Sequence, residues 1–220
     1  MSSPIQRTVI ALILLVVTIF GFVVAQQVMK ASDQEPVPAP DLSAMNTFVY
    51  DKGRPVTPFQ LTDETGKAAT EADLTGHWTF AFIGYTNCPD ICPATMAMLR
   101  QTDALIPADL PQPEYLLISA DPANDSPDKL RDYLNFFGED FHGLTGDLEA
   151  LRALAKSLNA VFVHRESDGV TYVDHSGHLA LIGPDGNMVA VLQPPHNPKA
   201  VAEAFERIYQ WRKSQHPRAK

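Results

Sequence analysis

The chain has 220 residues, 45% of them hydrophobic, with 17 Lys/Arg against 26 Asp/Glu and a net charge of −9. That length holds one hydrophobic anchor and one ordinary globular domain, and the apolar content excludes overall disorder. The first 30 residues carry only Arg7 and Lys30, so the remainder sets 15 basic against 26 acidic side chains, a balance of −11. An acidic body of this kind is expected to bind no nucleic acid, whose phosphates demand Lys/Arg patches.

The run Val9 to Ala25 is apolar and uncharged, close to the ~20 residues a helix needs to cross a bilayer. Arg7 and the free amine precede it, whereas Lys30, Asp33 and Glu35 follow. Residues 1–30 are therefore expected to form one transmembrane anchor with its N-terminus in the cytoplasm. The alternative is a signal peptide cut after Val23-Val24-Ala25, and the length of the apolar run weighs against it. No cysteine directly follows the apolar run, which excludes a bacterial lipoprotein anchor, and the N-terminus lacks the Arg-rich character of a mitochondrial transit peptide. Residues 31–46 are rich in Pro and acid and read as an extended linker. The folded domain is expected over 47–213, with a tail over 214–220.

Within the domain, Phe59 to Thr62 alternates before the turn Asp63-Glu64-Thr65-Gly66, which predicts an early hairpin. Trp78 to Tyr85 and Tyr115 to Ser119 are short apolar runs and predict buried strands. Between them a helix is expected from Pro93 to Leu105. Ser126-Pro127-Asp128 caps a helix reaching about Phe137, and Asp147 to Leu158 places its leucines on one helical face. Ser167-Asp168-Gly169 marks a second hairpin, flanked by Val161 to Val163 and Val170 to Val173. A third joins Leu179–Ile182 to Met188–Leu192, and an amphipathic helix over Ala200–Arg212 closes the domain. Strands alternating with helices, then a hairpin and a helix, predict an α/β domain of thioredoxin-like fold. It would carry an N-terminal hairpin and an inserted hairpin, and follow one transmembrane helix. The chain contains no GxGxxG, P-loop, HExxH or internal repeat.

The only two cysteines fall in Asn87-Cys88-Pro89-Asp90-Ile91-Cys92-Pro93, after a predicted strand and before a predicted helix. A helix N-terminus carries partial positive charge and favours thiolate, the form that binds metals and attacks disulfides. Proline disfavours helical geometry at the residue before it, so both cysteines are expected on the loop, with the helix starting at about Pro93. Three readings stay open here: a static disulfide, a redox dithiol and a metal site. Closing so short a loop removes little chain entropy, which weighs against a disulfide staple. A metal site needs a third ligand from the seven histidines. His77, His142, His164, His196 and His216 read as ordinary turn, strand-end or tail residues, and His178 is expected to face solvent. His175 precedes the strand Leu179–Ile182, and in a thioredoxin-like topology that loop packs beside the cysteine loop. Met96 and Met98 read as core residues in preference to transient thioether ligands.

The segment Gly84-Tyr85-Thr86-Asn87-Cys88-Pro89-Asp90-Ile91-Cys92-Pro93 resembles the signature of the Sco/SenC copper proteins. Asp121-Pro122 through Ser126-Pro127 and Tyr172-Val173-Asp174-His175-Ser176 resemble two further segments of that family, in the same order. Asn87 stands where many members have His, at a position that is not a ligand. The resemblance implies that Cys88, Cys92 and His175 bind one copper ion per domain, as Cu(I), Cu(II) or both. Two thiolates and an imidazole suit copper, whereas a structural zinc site wants four protein ligands. Asp90 and Asp174 are candidates for orienting the site through a carboxylate, with solvated loop acids as the alternative.

The resemblance further implies a metallochaperone serving the copper-A site of cytochrome c oxidase subunit II. The domain would face the periplasm from the bacterial inner membrane. Other periplasmic copper chaperones or thioredoxin-like reductants would be additional partners. A thiol–disulfide oxidoreductase acting on the recipient's cysteines is the main rival, with Cys88 and Cys92 as its redox pair. Copper sensing is a further option. A peroxiredoxin-like peroxidase would want an Arg beside one activated cysteine, and none accompanies the motif.

Overall fold

The N-terminal apolar run forms α1, Pro4–Ser32. Its stretch Pro4–Gln26 has 23 residues and mean hydropathy 3.0; at 1.5 Å per residue it spans about 34 Å, enough for a hydrocarbon core of roughly 30 Å. Thr8 and Thr18 return their hydroxyls to the carbonyls of Pro4 and Leu14, so each polar group is satisfied within the helix. The computed structural model describes residues 4–32, 37–167 and 170–215. Asp168 and Gly169 of the expected hairpin turn, part of the linker and residues 216–220 of the tail lie outside them. The chain forms two compact units, Met1–Val37 and Pro38–Lys220.

The second unit is built on an eight-stranded sheet. Its strands are β1 (Thr47–Pro55), β2 (Gln60–Asp63), β3 (Ala68–Thr70), β4 (Thr79–Gly84), β5 (Glu114–Ser119), β6 (Phe141–Thr145), β9 (Leu179–Ile182) and β10 (Asn187–Leu192). Their spatial order is β1-β10-β9-β4-β5-β6-β2-β3. β4, β5 and β6 run parallel, and the remaining pairings are antiparallel. Among the described residues the β7–β8 hairpin, Phe162–Ser167 and Val170–His175, pairs only with itself. The helices are α2 (Ile91–Asp103), α3 (Pro127–Leu134), α4 (Leu148–Ser157) and α5 (Pro198–Gln215). β4–α2–β5 followed by the β9–β10 hairpin and α5 is a thioredoxin-like core, with α2 packed on α5.

β4 is buried at every residue, as its continuous apolar sequence requires of a central strand. Its register aligns Phe80 with Tyr115 and Tyr115 with Phe141. The three rings stack across the strands at 6.0 and 4.6 Å, and Trp78 meets Phe205 of α5 edge-on at 5.5 Å. Asp147 and Ser126 cap α4 and α3 through Ala150 N–H and Lys129 N–H.

β1 and β6 lack the expected sequence signals. β1 is an edge strand interrupted by Asp51, Lys52 and Gly53, with a register break between Val49 and Arg54. β6 contains His142 and Gly143, and the glycine leaves room for Leu134 of α3, whose Cδ1 would lie 2.9 Å from a Cβ there. The folded unit also extends N-terminal to residue 47. Leu42 is 1% exposed, its carbonyl accepts from Met45 and Thr47 N–H, and its few apolar neighbours, scattered among Pro and acids, give no periodic signal. Replacing Leu42 with Ala is expected to cost about 2–4 kcal/mol, read as a lower urea midpoint with an unchanged slope; a midpoint equal to wild type would place Leu42 outside the core.

Candidate metal centre

The site forms where β4 ends. Cys88 closes a turn through its N–H to Tyr85 O at 3.3 Å, and α2 begins at Ile91 behind the N-cap Asp90. This start differs from the expected one near Pro93. Cys92 lies inside the first turn, and Pro93 is tolerated at the third helical position because a first-turn N–H has no intrahelical acceptor to lose. The earlier start carries Cys92 inward to 0% exposure, whereas Cys88 keeps 9%. Thus only one of the two thiols stays at the surface of the site.

Gly84 makes that burial possible. A Cβ at this position would sit 3.0 Å from Cys92 Sγ and 2.9 Å from Leu117 Cδ1. Cys88 Sγ lies under the start of α2, with Cys92 N–H 3.5 Å away. Burial alone would raise the Cys88 thiol, but the N–H groups of Asp90, Cys92 and Ile91 outweigh it and hold the pKa below the ordinary thiol value. Burial pushes the Cys92 thiol far up, and the neighbouring Cys88 adds to the rise. One helix end therefore produces two different cysteines.

His175 ends β8 and projects to the same point. Its Nδ1 lies 3.1 Å from Ser176 O. A carbonyl only accepts, so Nδ1 carries the proton and the Nε2 lone pair faces Cys92 Sγ, 3.4 Å away. Burial lowers the ring's pKa, which favours the neutral, ligating form. Phe82 and Tyr85 meet the ring edge-on at 5.5 and 6.0 Å. Among the described residues, Cys88, Cys92 and His175 are the one group of three or more His, Cys or acidic side chains arranged to hold a metal, their ligand atoms all within 4.8 Å of one another. Bonds of about 2.0–2.3 Å at trigonal or tetrahedral angles separate ligand atoms by about 3.3–4.0 Å; the Cys92–His175 separation of 3.4 Å falls in that range. A cleft of about 320 Å³ opens on Cys88 and His175, lined also by Tyr85, Ile91 and Tyr172.

The two acids suggested by sequence do not reach the ring with their carboxylates. Asp174 pairs with Arg165, because side chains alternate along β8 and His175 occupies the opposite face. The Ser176 carbonyl takes the orienting role. Asp90 is exposed and makes no side-chain cap; it acts through its backbone N–H on Cys88. His178 is 8% exposed and bonds Leu158 O at 3.1 Å, in contrast to the solvent-facing position expected. Met96 is in the core, and Met98 Sδ accepts from Thr102 Oγ1. His77 and His142 pair with Glu114 and Glu64, His164 packs on Phe162, and His216 lies outside the described residues.

A buried acid missed by sequence reasoning braces the cysteine turn. Asp125 is 0% exposed and accepts from Thr86 Oγ1 at 2.5 Å, Thr86 N–H at 3.2 Å and Ser119 Oγ at 2.7 Å. Burial raises its carboxyl despite these donors. Lys129 adds an outer tie to Asn87 Oδ1 at 2.9 Å. The signal available was a Thr two residues before Cys88 and a Ser ending β5, which by themselves resemble any surface turn.

Residues 50–210 match the sequence profile of SCO1/SenC. The chain belongs to the SCO1/SenC family. It is 38% identical over 156 residues to a protein of Stutzerimonas stutzeri named for copper binding, covering 70% of this chain and 76% of that one. It is 33% identical over 143 residues to the mitochondrial SCO1 homolog of Homo sapiens, covering 62% and 48%; the chain thus spans about half the length of that relative. Arabidopsis thaliana ScoI with copper bound superposes with a TM-score of 0.66 at 30% identity over 70% of this chain and 98% of that one. Yeast Sco1 with copper bound gives 0.66 at 29%, over 76% and 96%.

The asymmetry of the thiols has a direct consequence. In the reduced, metal-free chain at pH 7, iodoacetamide is expected to alkylate Cys88 about ten-fold or more faster than Cys92, as read by peptide mass spectrometry. Equal rates would contradict the assigned environments.

Proposed function

We propose that this chain binds one copper ion through Cys88 Sγ, Cys92 Sγ and His175 Nε2 and delivers it during cytochrome c oxidase assembly. The observation that carries the reading is the convergence of these three ligand atoms within 4.8 Å, and the copper-bound family structures support it. Copper is cargo. Three protein ligands leave an open position from which a recipient ligand can join before the donor lets go. The cleft beside Cys88 and His175 gives the approach, and buried Cys92 is the ligand shielded from it.

The recipient in this reading is the copper-A site of oxidase subunit II. Residues 1–30 anchor the chain in the bacterial inner membrane, and the domain over 47–213 works on the periplasmic side. Tethering to the membrane raises the effective concentration of donor near a membrane-bound recipient.

One observation favours a second activity on the same residues. Cys88 is held toward thiolate while Cys92 stays protonated. Cys88 would attack a partner disulfide, and Cys92 would then close the internal disulfide. Two electrons pass to the partner, which leaves as a dithiol.

The full chain in detergent, reduced and titrated with Cu(I) against a competing chelator, is expected to bind one equivalent. His175→Ala and Cys88→Ser are each expected to weaken binding by about 100-fold or more. Tight binding by His175→Ala in both copper oxidation states, with strong disulfide reductase activity, would favour the redox reading. Copper must also displace the proton that burial holds on Cys92. Apparent affinity is therefore expected to rise with pH, by up to about ten-fold per unit for that proton, when the titration is repeated at pH 6 and 8. A pH-independent affinity would contradict the protonated state of Cys92.

A further inference from the structure

Residues Ser176, Gly177 and His178 lead from the end of β8 into β9, and each is tied down separately. Ser176 N–H donates to Val161 O at 2.9 Å, and Ser176 Oγ accepts from Val161 N–H at 3.0 Å. His178 Nε2 donates to Leu158 O at 3.1 Å. Both ties reach the connection between α4 and β7. The tie at Gly177 comes from elsewhere: His196 Nε2 donates to Gly177 O at 2.8 Å, from the segment between β10 and α5.

Gly177 lies between two elements. A Cβ there would meet Ile91 Cδ1, at the start of α2, at 3.5 Å and Pro194 Cγ at 3.8 Å. The Ser176 carbonyl, which orients the His175 ring, belongs to the peptide unit preceding Gly177. The Gly177 carbonyl, which His196 holds, belongs to the unit following it. Glycine lets two such units rotate against each other more freely than any other residue. Fixing the second therefore holds the first from its C-terminal side, whereas the Val161 ties hold Ser176 from its N-terminal side. His196 is half-buried, and burial lowers its pKa, which leaves a neutral ring whose Nε2 proton points at the carbonyl.

We propose that His196 is a positioning residue of the copper centre: by holding the Gly177 carbonyl it fixes the Ser176 peptide that aims His175 Nε2 at the cysteine sulfurs. The claim rests on the copper reading for its function, and on the loop alone for its geometry. It concerns the imidazole arm of the site only, since the Cys88 turn is braced independently by Asp125.

The test uses the full chain in detergent as wild type, His196→Ala and His196→Gln, where the Gln amide can still donate to Gly177 O. Copper-free hydrogen–deuterium exchange is followed over residues 173–178, and the Cu(II)-loaded chains are compared by affinity and by nitrogen hyperfine structure in electron paramagnetic resonance. His196→Ala is expected to exchange faster over this loop, to lose about ten-fold in copper affinity and to show heterogeneous nitrogen coupling. Its cooperative unfolding and its Cys88 alkylation rate should match wild type. His196→Gln should restore all three altered readouts. Wild-type exchange, affinity and coupling in His196→Ala would overturn the proposal, and so would a His196→Gln variant as impaired as His196→Ala. If wild type binds no copper, the copper reading falls, and the exchange data alone then decide the positioning claim in the same two directions.

Discussion

Gly84 ends β4 without a side chain, and Leu117, Phe82 and Cys92 Sγ close around the place where a Cβ would sit. This close approach lets the first turn of α2 lie beneath the strand end with one sulfur removed from solvent. It also turns the N–H groups of residues 90–92 onto the other sulfur. The imidazole of His175 then meets Cys92 from a different element. A larger residue at 84 would press on the side chains of Leu117, Phe82 and Cys92, so this glycine favours the position that Cys92 Sγ takes.

Two supports hold the arrangement from opposite sides, and they differ in kind. The cysteine turn is braced by Asp125, a buried carboxylate surrounded by hydroxyl and backbone donors. A group of this kind is costly to bury and costly to leave unpaired, so its donors are strongly constrained. The histidine arm is held by neutral hydrogen bonds to backbone carbonyls at Ser176 and Gly177. Each such bond is worth less, and one of them acts on a glycine. The cysteine side is thus held by a charged group and the histidine side by neutral bonds, to which Ser176 and His178 add their ties to Val161 and Leu158.

Much of this was legible in the sequence because it is local. Continuous apolar runs marked β4 and β5, Ser126 and Asp147 marked helix starts, and the strand–helix junction marked the cysteines, whereas His175 came from the family resemblance. What escaped was decided by packing. β1 and β6 pair at positions where polar and glycine residues hide the strand pattern. Leu42 joins the core from a stretch of Pro and acids, with Met45 packed against it. Pro93 biases Cys92 against helix, but tertiary burial overrides that preference within the first turn. Asp174 stood next to His175 in sequence, yet strand alternation sent it to the other face. The ring's partner proved to be a backbone carbonyl, which no residue type announces.

The central claim is that two sulfurs and one imidazole nitrogen hold a single copper ion. X-ray absorption at the copper edge of the Cu(I)-loaded full chain tests it most directly. The account predicts a first shell of two sulfurs and one nitrogen, with the imidazole outer-shell scattering lost in His175→Ala. A shell of sulfur alone, or one unchanged in His175→Ala, would contradict it.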